Sequence, residues 1–202
     1  VTDPHNKKSD VIAQQLVQKI VCGEFAPGEK LPQDHFAREF KVSQATVREA
    51  LMRVVAQGLA ISLPRRGMCV APLDKGAVDE LSLMRQALEP LALFHSVPNL
   101  TGDQIKHAIN VQEQCDMAET ALEWEEANRQ FHMAIIAGCG MARLTEEINN
   151  LQLLYARHFL AKYANRWKSR VDPDHQAIIA AILDRDAPKA SAVLQRHLTR
   201  LT

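Results

Sequence analysis

The chain has 202 residues, enough for one large or two small domains, and its 47% of apolar residues is ordinary for a folded globular protein. No apolar run reaches membrane-spanning length and no signal-peptide core opens the chain, so no membrane partner and a cytoplasmic location are expected. The formal charge is zero, yet residues 1–76 carry 11 Lys and Arg against 8 Asp and Glu, while residues 77–202 carry 13 against 16. Cys22, Cys69, Cys115 and Cys139 are scattered without a C-x-x-C pair, which argues against a zinc finger or disulfide scaffold. Most of them read as small core residues.

Residues 1–9 read as a flexible tail. An amphipathic helix follows over 10–23, built on Ile12, Leu16, Val17 and Ile20, and Ala26-Pro27-Gly28-Glu29 makes a turn. Two short helices are expected at 33–40 and 44–57. The second carries Val47, Ala50, Leu51, Val54 and Val55 on one stripe. Ser43 is placed to cap it, Val42 and Val47 to staple its entry, and Gly58 to close it in the left-handed conformation. The remaining face offers Gln44, Thr46, Arg48 and Arg53. A helix held from behind and polar in front suits the major groove of DNA.

Strands are expected at 59–63 and 68–71, joined by Pro64-Arg65-Arg66-Gly67 as a hairpin with a basic tip. Three helices and this hairpin make a winged helix-turn-helix over 10–71, with Arg65 and Arg66 on the wing for phosphates or the minor groove. The local basic excess, Lys41, Arg48, Arg53, Arg65 and Arg66 against Glu49, is a modest footprint for a phosphate backbone. A three-helix scaffold with a protein-binding ribbon is the competing reading.

Residues 72–76 read as a linker. Helices follow at 77–97, 102–120, 122–138, 141–165, 173–185 and 187–200, with breaks at Pro98-Asn99, Gly138–Gly140, Val171–Pro173 and Asp186–Pro188. Helices without strands imply an antiparallel bundle over 77–202. The fold class is therefore mainly α, a winged helix-turn-helix followed by an all-α bundle.

Histidines recur inside the bundle. His132 shares a face with Asn128, Trp124 and Ile135. His175 shares one with Ile178, Ile179 and Ile182, and His197 with Ala190, Leu194, Leu198 and Leu201. Each imidazole points inward from a different helix, and converging neutral imidazoles can bind a divalent transition metal with positions left open. Affinity for such a metal is expected to fall below about pH 6.5. Each histidine could instead be hydrogen-bonded within the core. His158 faces inward with Leu151, Leu154 and Tyr155, lining the same cavity or packing. His95 reads as core, beside Leu88 and Leu91, and His107 as surface. Arg85 and Glu89, i and i+4, form either a surface pair or a cavity-facing guanidinium able to grip a carboxylate.

At these residues the chain resembles the GntR family of bacterial transcription regulators, in its FadR-type branch with an FCD ligand-binding domain. The first half carries the resemblance in Gly23–Pro32, Val42-Ser43, Val47–Leu51, Gly58-Leu59 and Arg65–Val70. The second half carries it in Arg85, Leu88-Glu89, Phe131-His132, Asp174-His175 and His197. The resemblance implies a homodimer, more often a repressor, that grips a palindromic operator in double-stranded DNA. A small organic-acid effector in the bundle would change that grip.

The implied DNA contacts are His35, Ser43, Gln44, Thr46, Arg48, Arg66 and Gly67, with Arg65 beside them on the wing. Gln44 stands where the family usually has arginine, and His35 where a basic residue is common; glutamine reads adenine where arginine reads guanine. The implied metal set is an aspartate and three histidines. His132, His175 and His197 match it, and Asn128 stands at the aspartate's place, which weakens zinc or nickel binding or replaces it by direct effector binding. Arg85 and His158 are the expected effector contacts. A histidine-metal enzyme is the alternative class, against which the chain lacks H-E-x-x-H and a general base beside the histidines. A helical adaptor is a third.

Overall fold

The structure, a computed structural model of the chain, describes residues 4–200. Residues 1–3 of the expected tail, and Leu201 of the stripe expected around His197, lie outside the described residues. The chain divides into two compact units, which part between Asp74 and Lys75.

The first unit runs α1 (Pro4–Val21), α2 (Gln33–Glu39), α3 (Gln44–Ala56), β1 (Ala60–Leu63) and β2 (Gly67–Val70). The first helix begins at Pro4 rather than at residue 10, so most of the expected tail is helical, and Ser9 is buried. Leu16, Ile20, Phe36, Val47, Leu51 and Val54 close the core between the helices. Each such side chain contributes about 1.5–3 kcal/mol by leaving water.

Backbone caps set the helix ends. Between α2 and α3, Val42 N donates to Ala37 O at 3.0 Å and Lys41 N to Arg38 O at 3.3 Å, with Lys41 itself at φ 54°. The end of α3 repeats the arrangement: Leu59 N reaches Val54 O at 3.2 Å and Gly58, at φ 77°, reaches Val55 O at 2.9 Å. The two strands pair antiparallel with Ala60 opposite Val70 and Leu63 opposite Gly67. The far edge of β2 is held too, by Leu31 N to Met68 O and Val70 N to Glu29 O, both 2.8 Å. The hairpin tip is left free to project.

The second unit is α4 (Lys75–Ser96), α5 (Gly102–Met117), α6 (Ala121–Ile135), α7 (Ala142–Tyr163), α8 (Pro173–Leu183) and α9 (Ala187–Arg200). Each expected helix appears, with its ends moved by a few residues. Thr101 with Gln104, and Thr120 with Glu123, form capping boxes that start α5 and α6. The α4 helix packs on α7 and α9, α6 on α5 and α7, and α8 on α5 and α9. The turn after α6 is tight: a Cβ on Gly138 would lie 2.8 Å from Ser96 O and 3.0 Å from Leu100 N.

The rotation of α4 differs from expectation. His95 and Leu91 are exposed, while Arg85, Glu89, Ala92, Leu93 and Ser96 are buried. The buried stripe keeps helical spacing but runs through two charged residues that an apolar count leaves out. Cys69, Cys115 and Cys139 are buried and Cys22 is exposed. Among the described residues no helix is long and apolar enough to cross a membrane.

Candidate functional site

In the first unit, α3 presents Gln44, Ala45, Arg48, Glu49 and Met52 to the outside. Ser43, also exposed, caps the helix by accepting from Thr46 N at 3.2 Å. Two residues expected on this face turn away from it. Thr46 is 2% exposed, its hydroxyl 2.8 Å from Ser43 Oγ. Arg53 reaches back to α1, with Nη1 2.8 Å from Asp10 Oδ1. Helical spacing puts residues 46 and 53 together on the side that meets α1. Their polarity, satisfied by Ser43 and Asp10, disguised that side.

His35 is exposed on α2, its Nε2 3.7 Å from Glu39 Oε2. Arg65, Arg66 and Gly67 are exposed at the hairpin tip, with Arg65 at φ 62° and Gly67 at φ 79°. Ala45 and Met52, which belong neither to the expected apolar stripe nor to the expected polar face, are also exposed on α3. Ala45 lies beside Gln44 at the start of the helix, where small apolar groups contact thymine methyls in a major groove.

In the second unit a buried relay crosses from α4 to α6. Arg85 Nε donates to Glu89 Oε1 at 2.6 Å, and Glu89 Oε2 lies 2.6 Å from His132 Nδ1. Burial pushes the Glu89 carboxyl up, but the Arg85 charge and the contacts with His132 and Arg85 outweigh it and hold it at about 2. A carboxylate at Nδ1 fixes the proton there and turns the Nε2 lone pair outward. That Nε2 is buried without a hydrogen-bonding partner.

His175 and His197 complete the cluster from α8 and α9. Their Nε2 atoms are 3.3 Å apart, and one nitrogen from each of the three histidines falls within 4.8 Å of the others. Burial, then the charge of His197, holds His175 well below its ordinary value. Burial, then His132, brings His197 down to about 3. Both are therefore neutral near pH 7. Asp172 supports the cluster, with Oδ2 3.6 Å from His197 Nδ1 and Oδ1 capping α8 at Asp174 N, 2.9 Å away.

A small chamber shares Arg85 with the relay. Arg85 of α4, Trp124, Glu125, Asn128 and Arg129 of α6, and Gln152, Tyr155 and Phe159 of α7 form its wall. The volume open to a water centre is about 10 Å3, which is room for roughly one water. Arg85 Cζ stands 4.7 Å over the Tyr155 ring. Trp124 stacks with Phe159 at 5.1 Å and with Trp167, from the segment after α7, at 4.9 Å. Burial pushes the Glu125 carboxyl up to about 7 despite Arg129 and Arg85 nearby.

Asn128 and Arg85, both expected at the site, line this chamber. His158 is half-buried and lies outside the wall. Glu89, Glu125 and Gln152 are the residues that sequence reasoning did not assign to the site. Glu89 carried a signal, four residues after Arg85 on a helix whose next turn is apolar.

Comparison with known proteins places both units. Residues 8–70 match the sequence model described as bacterial regulatory proteins, gntR family, and residues 80–200 match the FCD domain. The chain is 32% identical to the uncharacterized HTH-type transcriptional regulator BphR of Paraburkholderia xenovorans (strain LB400), over 92% of this chain and 80% of that protein. It is 29% identical to the HTH-type transcriptional repressor GlaR of Escherichia coli (strain K12), over 91% and 89%. Among solved structures it resembles E. coli McbR/YncC with a TM-score of 0.82 and 23% identity, over 96% and 94% of the two chains, a likeness of fold.

Proposed function

The chain belongs to the gntR family of bacterial transcription regulators, with an FCD domain following its DNA-binding unit, and from that premise we propose a cytoplasmic, effector-controlled repressor acting as a homodimer on a palindromic operator. Its relatives are transcription regulators, not enzymes. The repressor sense follows the relative named as one. In the DNA-binding unit, Gln44 and Arg48 read base edges from α3, with Arg65, Arg66 and Gly67 on flanking phosphates or the minor groove. Ser43 contributes as a cap, His35 as an outer contact. Thr46, turned inward, positions Ser43 rather than touching DNA.

The effector is a small organic acid held in the second unit, and one observation carries this. A buried Arg85–Glu89–His132 relay ends in an unpartnered Nε2 beside two neutral imidazoles. Buried ionic networks rarely stabilise a fold on balance, so this one is read as built for a ligand. The residues fit a metal: two nitrogens bound to one zinc at about 2.0–2.1 Å stand about 3.3 Å apart at a tetrahedral angle, and the spacing of His175 and His197 is 3.3 Å. His132, His175 and His197 would hold zinc or nickel, and the ion would supply a Lewis-acidic positive centre for the effector's carboxylate, with Asn128 one turn before His132 on the chamber wall. Arg85 adds a fixed positive charge on the chamber wall.

The test is operator binding by fluorescence anisotropy across a series of salt concentrations, using the DNA upstream of the protein's own gene. Arg48→Ala is expected to weaken specific binding by about 1–3 kcal/mol. Arg66→Ala is expected to weaken all sequences alike and flatten the salt dependence. Unchanged affinity in both variants would overturn the DNA-reading assignment.

A further inference from the structure

Gln152 is a polar side chain with nothing to bond. It is 3% exposed on α7, and neither Oε1 nor Nε2 has a hydrogen-bonding partner. Three other chamber residues, all on α6, have such an atom: Trp124 at Nε1, Asn128 at Oδ1 and Arg129 at Nε, the last of them facing Glu125 Oε1 at 3.6 Å. Buried polar atoms in native interiors are nearly always paired. Arg129 sets its charge against Glu125; the four neutral unpaired atoms that remain on the chamber wall point to a group that docks there.

The four atoms define that group. Trp124 Nε1 and Gln152 Nε2 donate; Asn128 Oδ1 and Gln152 Oε1 accept. A methylene would leave all of them unpaired. A second carboxylate could meet the donors but would set its charge against two acceptor oxygens and close to Glu125. A hydroxyl both donates and accepts, and it is compact enough for so small a space. The aromatic faces of Trp124, Tyr155 and Phe159 supply the apolar sides around it.

We propose that Gln152, Trp124 and Asn128 form a specificity subsite for a hydroxyl group, so that the chamber selects a hydroxy acid over the same acid lacking the hydroxyl. This rests on the organic-acid reading above: the carboxylate lies toward Arg85 and the histidines, and the hydroxyl toward α7. Gln152 is then kept polar for recognition, at the expense of the ligand-free fold.

The experiment uses the full-length protein and two matched pairs, L-malate with succinate and L-lactate with propionate. Affinities are measured by calorimetry, and operator affinity is measured with each acid. The hydroxylated member of at least one pair is expected to bind about tenfold more tightly or better. Gln152→Leu is expected to cut that preference to about twofold or less while leaving the affinity for succinate or propionate in place. It is also expected to raise the ligand-free Tm, which a merely structural glutamine would not do. Gln152→Met carries the same expectations should the leucine variant fail to fold. Equal affinity within both pairs, or a preference that survives in the Gln152 variants, overturns the subsite alone. If none of the four acids binds and none alters operator affinity, the organic-acid reading falls, and the subsite with it.

Discussion

Glu125 is a carboxyl whose burial moves it from an ordinary value of 4.5 to about 7. The folded state therefore binds more protons than the unfolded state between those values, so stability from this group is complete below about 4.5 and is lost as pH rises through 7. A shift of that size corresponds to on the order of 3 kcal/mol. Glu125→Gln should leave Tm nearly unchanged at pH 5 and raise it at pH 8, as read by thermal unfolding. A parallel Tm profile for both proteins across that range would contradict the assignment. The histidines push the other way. His197, lowered from 6.5 to about 3, contributes stability present above about 6.5 and lost as pH falls toward 3. Burial keeps His175 and His197 neutral, so proton competition for a metal at these two sets in well below pH 6.5. For the metal reading itself, calorimetric titration with zinc or nickel should show binding by the native protein. It should tighten in Asn128→Asp, where a carboxylate joins the set, and vanish in His175→Ala. Equal binding by the three proteins, or none by any, would show the imidazoles to be core residues or direct effector contacts.

Along α4, two faces carry opposite surprises. The inner one holds Arg85 and Glu89; the outer one leaves Leu83 67%, Leu91 46% and Phe94 44% exposed. Leu83, Leu91 and Phe94 share one side at helical spacing, and a dimer that reads two half-sites needs a surface on which two copies meet. Leu83→Asp combined with Phe94→Asp is expected to give monomers in sedimentation, with intact helix content, and to weaken operator binding. A variant that stays dimeric would place the interface elsewhere. How much of an element is legible depends on what marks it. Ser43 and Gly58 announced the ends of α3, because a cap needs a side-chain oxygen or a left-handed residue at a fixed offset. Lys41 fills the same left-handed role after α2 with no glycine to betray it. The apolar stripes gave the helices, yet the stripe of α4 could not be oriented, since its buried side is centred on an ion pair. Convergence of His132, His175 and His197 was legible from their stripes. The chamber was not: Gln152 and Glu125 look like surface residues until three helices close around them.

At the scale of the whole molecule, the two units divide the labour, and regulation requires a free-energy coupling between them. That coupling is reciprocal: whatever factor an effector imposes on operator affinity, the operator must impose on effector affinity. The Trp124–Trp167 stack bears on how this can be observed. Trp124 and Trp167 are the only two tryptophans in the chain, and both belong to the second unit, Trp124 in the chamber wall and Trp167 stacked on it. The DNA-reading unit is thus optically dark, and the emission of the native protein comes from the effector side alone. A spectral change on adding operator DNA would therefore be a direct, label-free view of the signal passing from one unit to the other.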